Sequence, residues 1–175
     1  IVITTKKGAK TKSLIPQINA DFSASLSHVD RYVDVLSADE LRNLVTERVN
    51  AGYTDASALA ALGEANTNWQ KEIYRTAWSH DHNVTLSGAA GNFPYRLSLG
   101  YTNQQGILKT SNFRRYTAAL NLNPSLLNDH LVLNINAKGM WAKTQYANTG
   151  AIGAAVAYDP TKPIYDTTSP DAGNF

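Results

Sequence analysis

Apolar and polar residues alternate with a period of two in five separate stretches of the chain, and this pattern limits its fold more than any other feature. In residues 18–26, for example, apolar side chains occupy the even positions, and Asn, Asp and Ser occupy the odd ones. Because successive side chains of a β-strand point to opposite faces, each stretch predicts a strand with one apolar and one polar face. The sequence therefore predicts an all-β chain of antiparallel strands at 14–27, 80–89, 94–104, 113–123 and 131–142.

Strand length and aromatic positions favour part of a large transmembrane β-barrel over a soluble sandwich. The predicted strands are close to the roughly 9–11 residues that a tilted strand needs to span a bilayer. Tyr95, Tyr101, Tyr116 and Trp141 lie at the margins of the apolar faces, where a barrel carries its interfacial aromatic girdles. A soluble carbohydrate-binding β-sandwich module is the alternative hypothesis, although the solvent face of such a protein is usually richer in Lys and Glu.

Composition excludes several other classes of protein. Charged residues make up only 17% of the chain, and its net charge of +2 is too small to indicate a nucleic-acid partner. The chain has no cysteine, which excludes disulfide bonds, thiolate metal sites and cysteine nucleophiles. It also has no apolar run of the roughly 18 residues that a transmembrane helix requires.

Residues 37–79 change from the strand period to a pattern of short helices. Ser37 and Glu40 are predicted to form a capping box, in which each side chain accepts a hydrogen bond from the other residue's backbone amide. The stretch after Lys143 is rich in Gly, Ala and Pro, which predicts a long loop. The expected helical stretches are 37–52, 56–62 and 67–75.

The ends of the chain and its strand count predict a piece of a larger protein. Residues 1–8 resemble a strand already in progress, and residues 169–175 form a loop with no closing element. A small domain that starts with a strand is the alternative. Unpaired strand edges are costly in lipid, and the smallest single-chain barrels have about eight strands. Five strands therefore predict that most of a membrane barrel lies outside this sequence.

Six short blocks of sequence resemble one family of membrane proteins. They are IVITTKKG at 1–8, LSADEL at 36–41, NWQKEIYRTA at 68–77, VTLSG at 84–88, YTNQQGIL at 101–108 and FRRY at 113–116. In this order they resemble the SusC/RagA-type TonB-dependent outer-membrane transporters of Bacteroidota. No single block is specific for this family, but the occurrence of all six blocks in the family's order is specific.

The resemblance implies an architecture, a function and partners. The resemblance implies a barrel of about 22 strands that is filled by an N-terminal plug. Residues 1–12 would then be the end of the plug, and residues 13–175 would be the first part of the barrel. Residues 37–79 would form a helical extracellular loop. The resemblance further implies an outer-membrane importer of oligomeric nutrients, either glycan oligosaccharides or peptides. Its partners would be a SusD-like surface lipoprotein and TonB, which acts through a segment upstream of this sequence.

No enzyme, cofactor or metal site is predicted from the residues. His80 and His82 lie two residues apart and would share one face of a strand, where a third ligand could complete a metal site. The preferred interpretation is a polar strand start at a loop boundary. A hydrolase would require an activated serine, and the chain has no Gly-x-Ser-x-Gly elbow.

Two groups of residues are candidates for contact with substrate. Trp69, Tyr74 and Trp78 fall in the predicted extracellular loop, where they would either stack on a substrate in the vestibule or pack the loop's own small core. The second group would face the barrel interior and contact the plug or a passing substrate. Its members are Arg96, Ser98, Asn134, Asn136 and Lys138.

Overall fold

The structure is a computed structural model that describes residues 15–165. The predicted plug end at 1–12 lies outside the described residues. Within them the chain forms seven strands and four helices, so the predicted strands with a helical insertion are present. The elements are β1 (Gln17–Ser27), α1 (Ala38–Asn50), α2 (Ser57–Ala61), α3 (Trp69–Ile73), β2 (Ala77–Ala90), β3 (Phe93–Gln105), β4 (Asn112–Leu122), β5 (Ser125–Leu126), β6 (Leu131–Val132), β7 (Ile135–Gln145) and α4 (Gly150–Ala157).

Five of the strands form one open antiparallel sheet in the order β1-β2-β3-β4-β7. The first pair runs from Gln17 opposite Ser87 to Ser27 opposite Ala77. A two-residue turn joins β2 to β3, and Gly91, with a φ of 61°, supplies its left-handed residue. Since consecutive strands pair along most of the sheet, the predicted antiparallel arrangement is confirmed.

The predicted fifth strand, 131–142, is divided in the structure, which corrects the prediction. Leu131–Val132 forms β6 and pairs with β5 in a small separate hairpin, and β7 begins only at Ile135. The cause is the turn before β6, because residues 127–129 have φ values of 52°, 52° and 68°. Three consecutive left-handed residues reverse the chain there, so residues 125–132 form a hairpin of their own.

The helical unit contains residues 28–75 and 147–165, and its first helix starts as the sequence predicts. The Ser37 hydroxyl accepts a hydrogen bond from the Glu40 amide at 3.3 Å. The Glu40 carboxylate accepts one from the Ser37 amide at 2.8 Å, which completes the capping box. Gly52, with a φ of 75°, follows the end of the helix in a left-handed conformation, which glycine adopts without strain.

Three features of the helical unit differ from the prediction. α3 begins at Trp69 rather than at Thr67, because the Asn68 side chain accepts from the amide of Lys71 and caps the helix. The helical segment stops short of residue 79, because β2 already begins at Ala77. α4 lies in the stretch predicted to be a loop. Two of its eight residues are glycine. Each glycine disfavours a helix by about 1 kcal/mol relative to alanine, so the local sequence did not predict one.

The capping box predicts a pH dependence for the start of α1. Hydrogen bonds from the Ser37 amide and then its hydroxyl hold the pKa of the Glu40 carboxyl below its ordinary value. A carboxyl whose pKa is lower in the folded state stabilises the fold above its unfolded pKa of about 4.3 and loses that contribution as the pH falls through the folded pKa. We therefore expect the exchange protection factor of the Ser37 amide to fall over this acidic range, as measured by hydrogen exchange. Glu40→Gln should abolish the change, and an unaltered pH profile in that variant would contradict the assignment.

A distant segment of the chain holds the helical unit together. Thr161 is fully buried, and its hydroxyl and carbonyl oxygens accept from the amides of Gly63 and Ala65 at 2.9 and 3.1 Å. The Thr67 hydroxyl donates to the carbonyl of Lys162 at 2.7 Å. These partners lie 95 to 98 residues apart along the chain, so no local sequence pattern indicates them.

The sheet has no buried apolar core of its own. Within residues 15–165 the buried apolar residues are four alanines, and the large apolar side chains of the sheet remain at least partly exposed. Ile18, Phe22 and Trp141, for example, expose 71%, 64% and 57% of their surface. A soluble sheet buries its apolar face against a second layer of structure, and residues 15–27 and 76–146, the described part of the unit that contains the sheet, supply no such layer. Over residues 15–165, no helix combines the length and the apolarity needed to cross a bilayer.

Candidate functional site: the two faces of the sheet

Five aromatic rings align in one row across the apolar face of the sheet. We call this set the aromatic row, and it contains one residue from each strand. The register that places the rings side by side is set by the backbone pairing of the strands. Successive ring centroids lie 4.9, 6.2, 4.8 and 5.6 Å apart along the row Phe22, His82, Tyr101, Tyr116 and Trp141.

Tyr95 marks the opposite margin of the apolar band. It lies on β3 together with Tyr101, six residues away, which corresponds to about 20 Å along a strand. The apolar face between these two margins carries aliphatic side chains such as Val84, Leu97 and Leu120. The lipid-facing surface of a barrel likewise carries an apolar band between two aromatic girdles.

The opposite face of the sheet is polar, and several of its side chains are buried. The hydroxyl groups of Thr85 and Ser98 lie 3.1 Å apart. Farther along the sheet, the Thr102 hydroxyl donates to the Asp81 carboxylate and accepts from the Arg115 guanidinium at 3.2 Å. A neutral hydroxyl therefore bridges two opposite charges. This cluster was not predicted from the sequence, although the alternation places all three residues on polar-face positions.

Four of the five residues predicted to face a barrel lumen lie on this polar face. Arg96 and Asn136 belong to one row across the sheet, and Ser98 and Lys138 belong to the next. Asn134 lies outside β7, just before its first residue, because the strand starts later than predicted. Its side-chain oxygen accepts from a neighbouring asparagine at 2.6 Å.

The two histidines share one face of β2, as their spacing predicts. The preferred interpretation of a polar strand start is wrong, because β2 already begins at Ala77 and both histidines lie inside the strand on its apolar face. Nδ1 of His80 is 3.0 Å from Nε2 of His82, so one ring donates to the other. Asp81, between them, belongs to the polar face, where it contacts Thr102. Among residues 15–165, no group of three His, Cys, Asp or Glu side chains is placed to hold a metal ion. The metal-site hypothesis therefore has no third ligand there.

The three aromatic residues predicted to lie in the extracellular loop are separated in the structure. Trp69 packs edge-on against Tyr158 at 5.0 Å between ring centroids, and its indole N–H donates to a backbone carbonyl at 2.9 Å. Tyr74 lies 6.2 Å from Tyr32. Both contacts lie within the helical unit. Trp78 belongs to β2 and to the apolar face instead, because that strand starts earlier than its alternation indicates, which corrects its predicted position.

A groove of about 950 Å³ lies within the helical unit, between residues 34–41 and 156–160. Its lining residues include three acidic residues, Asp34, Glu40 and Asp159, together with apolar residues such as Leu41 and Val156. A smaller hollow of about 130 Å³, which shares part of this lining, is bounded by Trp69, Gln70 and other residues of the same unit. A concave surface with mixed polar and apolar lining is able to contact both kinds of group on a ligand.

Comparisons with known proteins identify the family. No family model matches the chain. The chain is 50% identical over 171 residues to the TonB-dependent receptor SusC of Bacteroides thetaiotaomicron, a match that covers 97% of the chain and 16% of SusC. The chain belongs to the SusC/RagA-type TonB-dependent receptors. It is also 32% identical over 176 residues to the TonB-dependent receptor P3 of Formosa agariphila, covering 95% of the chain and 16% of that receptor.

Solved structures share the fold of this SusC/RagA-type chain. The RagAB peptide importer in its closed-closed state matches with a TM-score of 0.61 at 22% identity, covering 83% of the chain and 19% of the matched chain. A second structure, of the RagAB peptide transporter, matches with a TM-score of 0.63 at 20% identity. This match covers 90% of the chain and 21% of the matched chain. The chain thus spans only about a sixth to a fifth of the length of these SusC/RagA-type relatives.

Membership of the SusC/RagA-type family confirms the sequence resemblance and bears on two further expectations. The relatives are receptors and importers, not enzymes, which fits the expectation that the chain carries no catalytic residues. The alternative of a soluble carbohydrate-binding sandwich is not retained, because the chain belongs to another family and its described sheet has no second layer.

Proposed function

We propose that this chain forms part of the wall of an outer-membrane barrel that imports oligomeric nutrients with energy relayed by TonB. In this proposal the apolar face contacts lipid, and the polar face lines the lumen of a barrel of about 22 strands. The observation that carries the proposal is the aromatic row, which crosses all five strands and bounds an exposed apolar band. Such an aligned girdle stabilises a barrel at the boundary between headgroups and hydrocarbon.

The open edges of the sheet support the same proposal. Within the described residues, β1 and β7 each pair with a neighbour on one side only. Unpaired backbone groups are costly in lipid, so further strands of the full-length receptor would pair with both edges and close the barrel. On the lumen side, Arg96, Ser98, Asn136 and Lys138 would contact the plug or a passing substrate.

The helical unit is proposed to form an extracellular loop. The chain leaves the sheet at Ser27 and returns at Ala77, so this connection is much longer than the two-residue turn at the other end of β2. Long loops of outer-membrane barrels are extracellular, and their short turns are periplasmic. The groove of the unit, with Trp69 and Tyr74, would form part of the vestibule for oligosaccharides or peptides, beneath a SusD-like surface lipoprotein.

Cysteine labelling of the full-length receptor in intact cells tests this orientation. The chain has no cysteine of its own, and Tyr53 in the helical unit and Leu127 in the turn before β6 are both highly exposed. We expect Tyr53→Cys to react with a bulky, membrane-impermeant maleimide in intact cells. Leu127→Cys should react only after the outer membrane has been permeabilised. Labelling of Leu127→Cys in intact cells, or no labelling of Tyr53→Cys, would show that the proposed orientation is wrong.

Growth of a strain that lacks the receptor tests the import function. We expect the deletion to abolish growth on one class of oligomer, either an oligosaccharide or a peptide, and to leave growth on the corresponding monomer unchanged. A plasmid copy of the intact receptor should restore growth. Unchanged growth on every oligosaccharide and peptide supplied would contradict the import function.

A further inference from the structure

The apolar face of the sheet carries all of its formal charge at one place. Arg114 on β4 and Lys143 on β7 lie directly opposite each other, in the row next to the aromatic row. Both side chains are exposed. Over the five strands of the sheet, no other Arg, Lys, Asp or Glu occupies the apolar face, and the acidic residues Asp21 and Asp81 lie on the polar face.

The position of the two cations is unfavourable unless an anion accompanies them. Directly opposite residues of an antiparallel pair have Cα atoms about 4.5–5.5 Å apart, and like charges in such positions destabilise a sheet. Within residues 15–165, neither Arg114 nor Lys143 is recorded in an ion pair. An anion held between the two side chains would convert their repulsion into attraction.

A hollow of about 680 Å³ opens on the apolar face beside this pair. The rings of Tyr116 and Trp141 form part of its wall, and Ala118 and Gly139 lie opposite each other in the adjoining row. A Cβ atom added to Gly139 would meet no atom within 4 Å, so the space above it is open. The small residues therefore leave an apolar depression that suits a hydrocarbon chain.

We infer that these features form one binding site for a phosphate-bearing lipid of the outer membrane. The inference rests on the proposed function, because it requires the apolar face to contact lipid. The phosphate is held between Arg114 and Lys143 by charge-assisted hydrogen bonds. Tyr116 and Trp141 lie at the headgroup boundary, where amphipathic rings are most stable. One acyl chain occupies the hollow over Gly139.

The position of the site indicates that it contacts the outer leaflet of the membrane. The cationic pair lies between the aromatic row and the strand ends that lead to the proposed extracellular loop. The phosphorylated lipid of that leaflet is the glycolipid lipid A, which combines phosphate groups with several acyl chains. The competing partner for Lys143 is a carboxylate on a further strand of the full-length receptor that pairs with β7. If that carboxylate bound Lys143, the receptor would not prefer a phosphorylated lipid over a dephosphorylated one.

Native mass spectrometry of the full-length receptor distinguishes these partners. The receptor, in a non-ionic detergent, is mixed with equal amounts of bisphosphorylated lipid A and of the same lipid with both phosphates removed. We expect it to retain the phosphorylated form preferentially. The double variant Arg114→Gln/Lys143→Gln should bind that form about twenty-five-fold more weakly, since each basic residue near an anionic headgroup contributes about a factor of five. Its binding of the dephosphorylated form should not change.

Two single variants serve as controls. Lys138→Gln removes a positive charge from the polar face of the same strand and should leave the retention of both lipids unchanged. Gly139→Leu places an aliphatic side chain in the hollow, where an added Cβ atom meets nothing within 4 Å, and should weaken the retention of both lipids by a similar factor. Equal retention of the two lipids by the unmodified receptor, or an equal effect of Lys138→Gln, would overturn the inference.

Fractionation of the same cells separates failure of this inference from failure of the proposed function. Absence of the receptor from the outer-membrane fraction would overturn both. Recovery in that fraction without any discrimination between the two lipids would overturn the lipid site alone and leave the barrel proposal intact.

Discussion

Replacement of Ala137 by lysine is expected to destabilise the full-length receptor in lipid by about 2–4 kcal/mol. Ala137 lies on the apolar face of β7, opposite Leu120 and inside the band that the aromatic row and Tyr95 bound. In the proposed orientation, its side chain faces hydrocarbon, so the ammonium group must be moved out of water. Ala137 is exposed in the sheet, and a longer side chain there displaces no packed neighbour. Urea-dependent unfolding from phospholipid vesicles measures the loss.

The neighbouring residue on the other face is the matched control for this substitution. Asn136 is also exposed, and it lies on the polar face at nearly the same depth. Asn136→Lys should therefore cost much less than Ala137→Lys. Equal destabilisation by the two substitutions would mean that both faces meet the same medium, and the assignment of the apolar face to lipid would be wrong.

Replacement of Gly63 by alanine is expected to destabilise the helical unit by about 1–3 kcal/mol through overpacking. A Cβ atom at this position would lie 2.2 Å from the carbonyl oxygen of Thr161 and 3.1 Å from its carbonyl carbon. Thr161 cannot move aside easily, because it is fully buried and its amide donates to the Asp159 carboxylate at 2.8 Å. The Gly63 carbonyl is itself held by the guanidinium of Arg42 at 2.9 Å. Limited proteolysis of the full-length receptor measures the effect as faster cleavage within residues 147–165.

A second glycine provides the control for that experiment. Gly153 lies in α4, and a Cβ atom there would meet nothing within 4 Å. Gly153→Ala should therefore stabilise the helix by about 0.5–1 kcal/mol, the usual gain when alanine replaces glycine in a helix interior. If Gly63→Ala resists the protease as well as Gly153→Ala does, the close contact between Gly63 and Thr161 does not hold in the receptor.

The features that could be predicted from sequence are those that neighbouring residues decide. Period-two alternation depends only on the geometry of a single strand, so it indicated β1 to β4 and the two faces of each. The capping box of Ser37 and Glu40 spans four residues, and it is present in the structure as predicted. The sequence also placed Tyr101, Tyr116 and Trp141 at the margins of their strands without showing that their rings touch.

The features that were missed depend on backbone conformation or on distant partners. The fifth strand was predicted to run unbroken from residue 131, because a pattern of side chains does not reveal that Leu131 and Val132 pair with β5 in a separate hairpin. α4 was missed because its glycines weaken the local helix pattern. The pairing of Thr161 with Gly63 joins residues 98 positions apart, and neither residue carries a recognisable motif.

The direction of each side chain within a strand is a local property, so the sequence was sufficient to assign an apolar and a polar face to each strand of the five-stranded sheet. The register between strands is not local, because it depends on the turns that join them and on backbone pairing along their whole length. Only that register places Arg114 opposite Lys143 and brings five rings from five strands into one row. The faces were therefore predictable from the chain alone, whereas the neighbours on each face were decided by the tertiary structure.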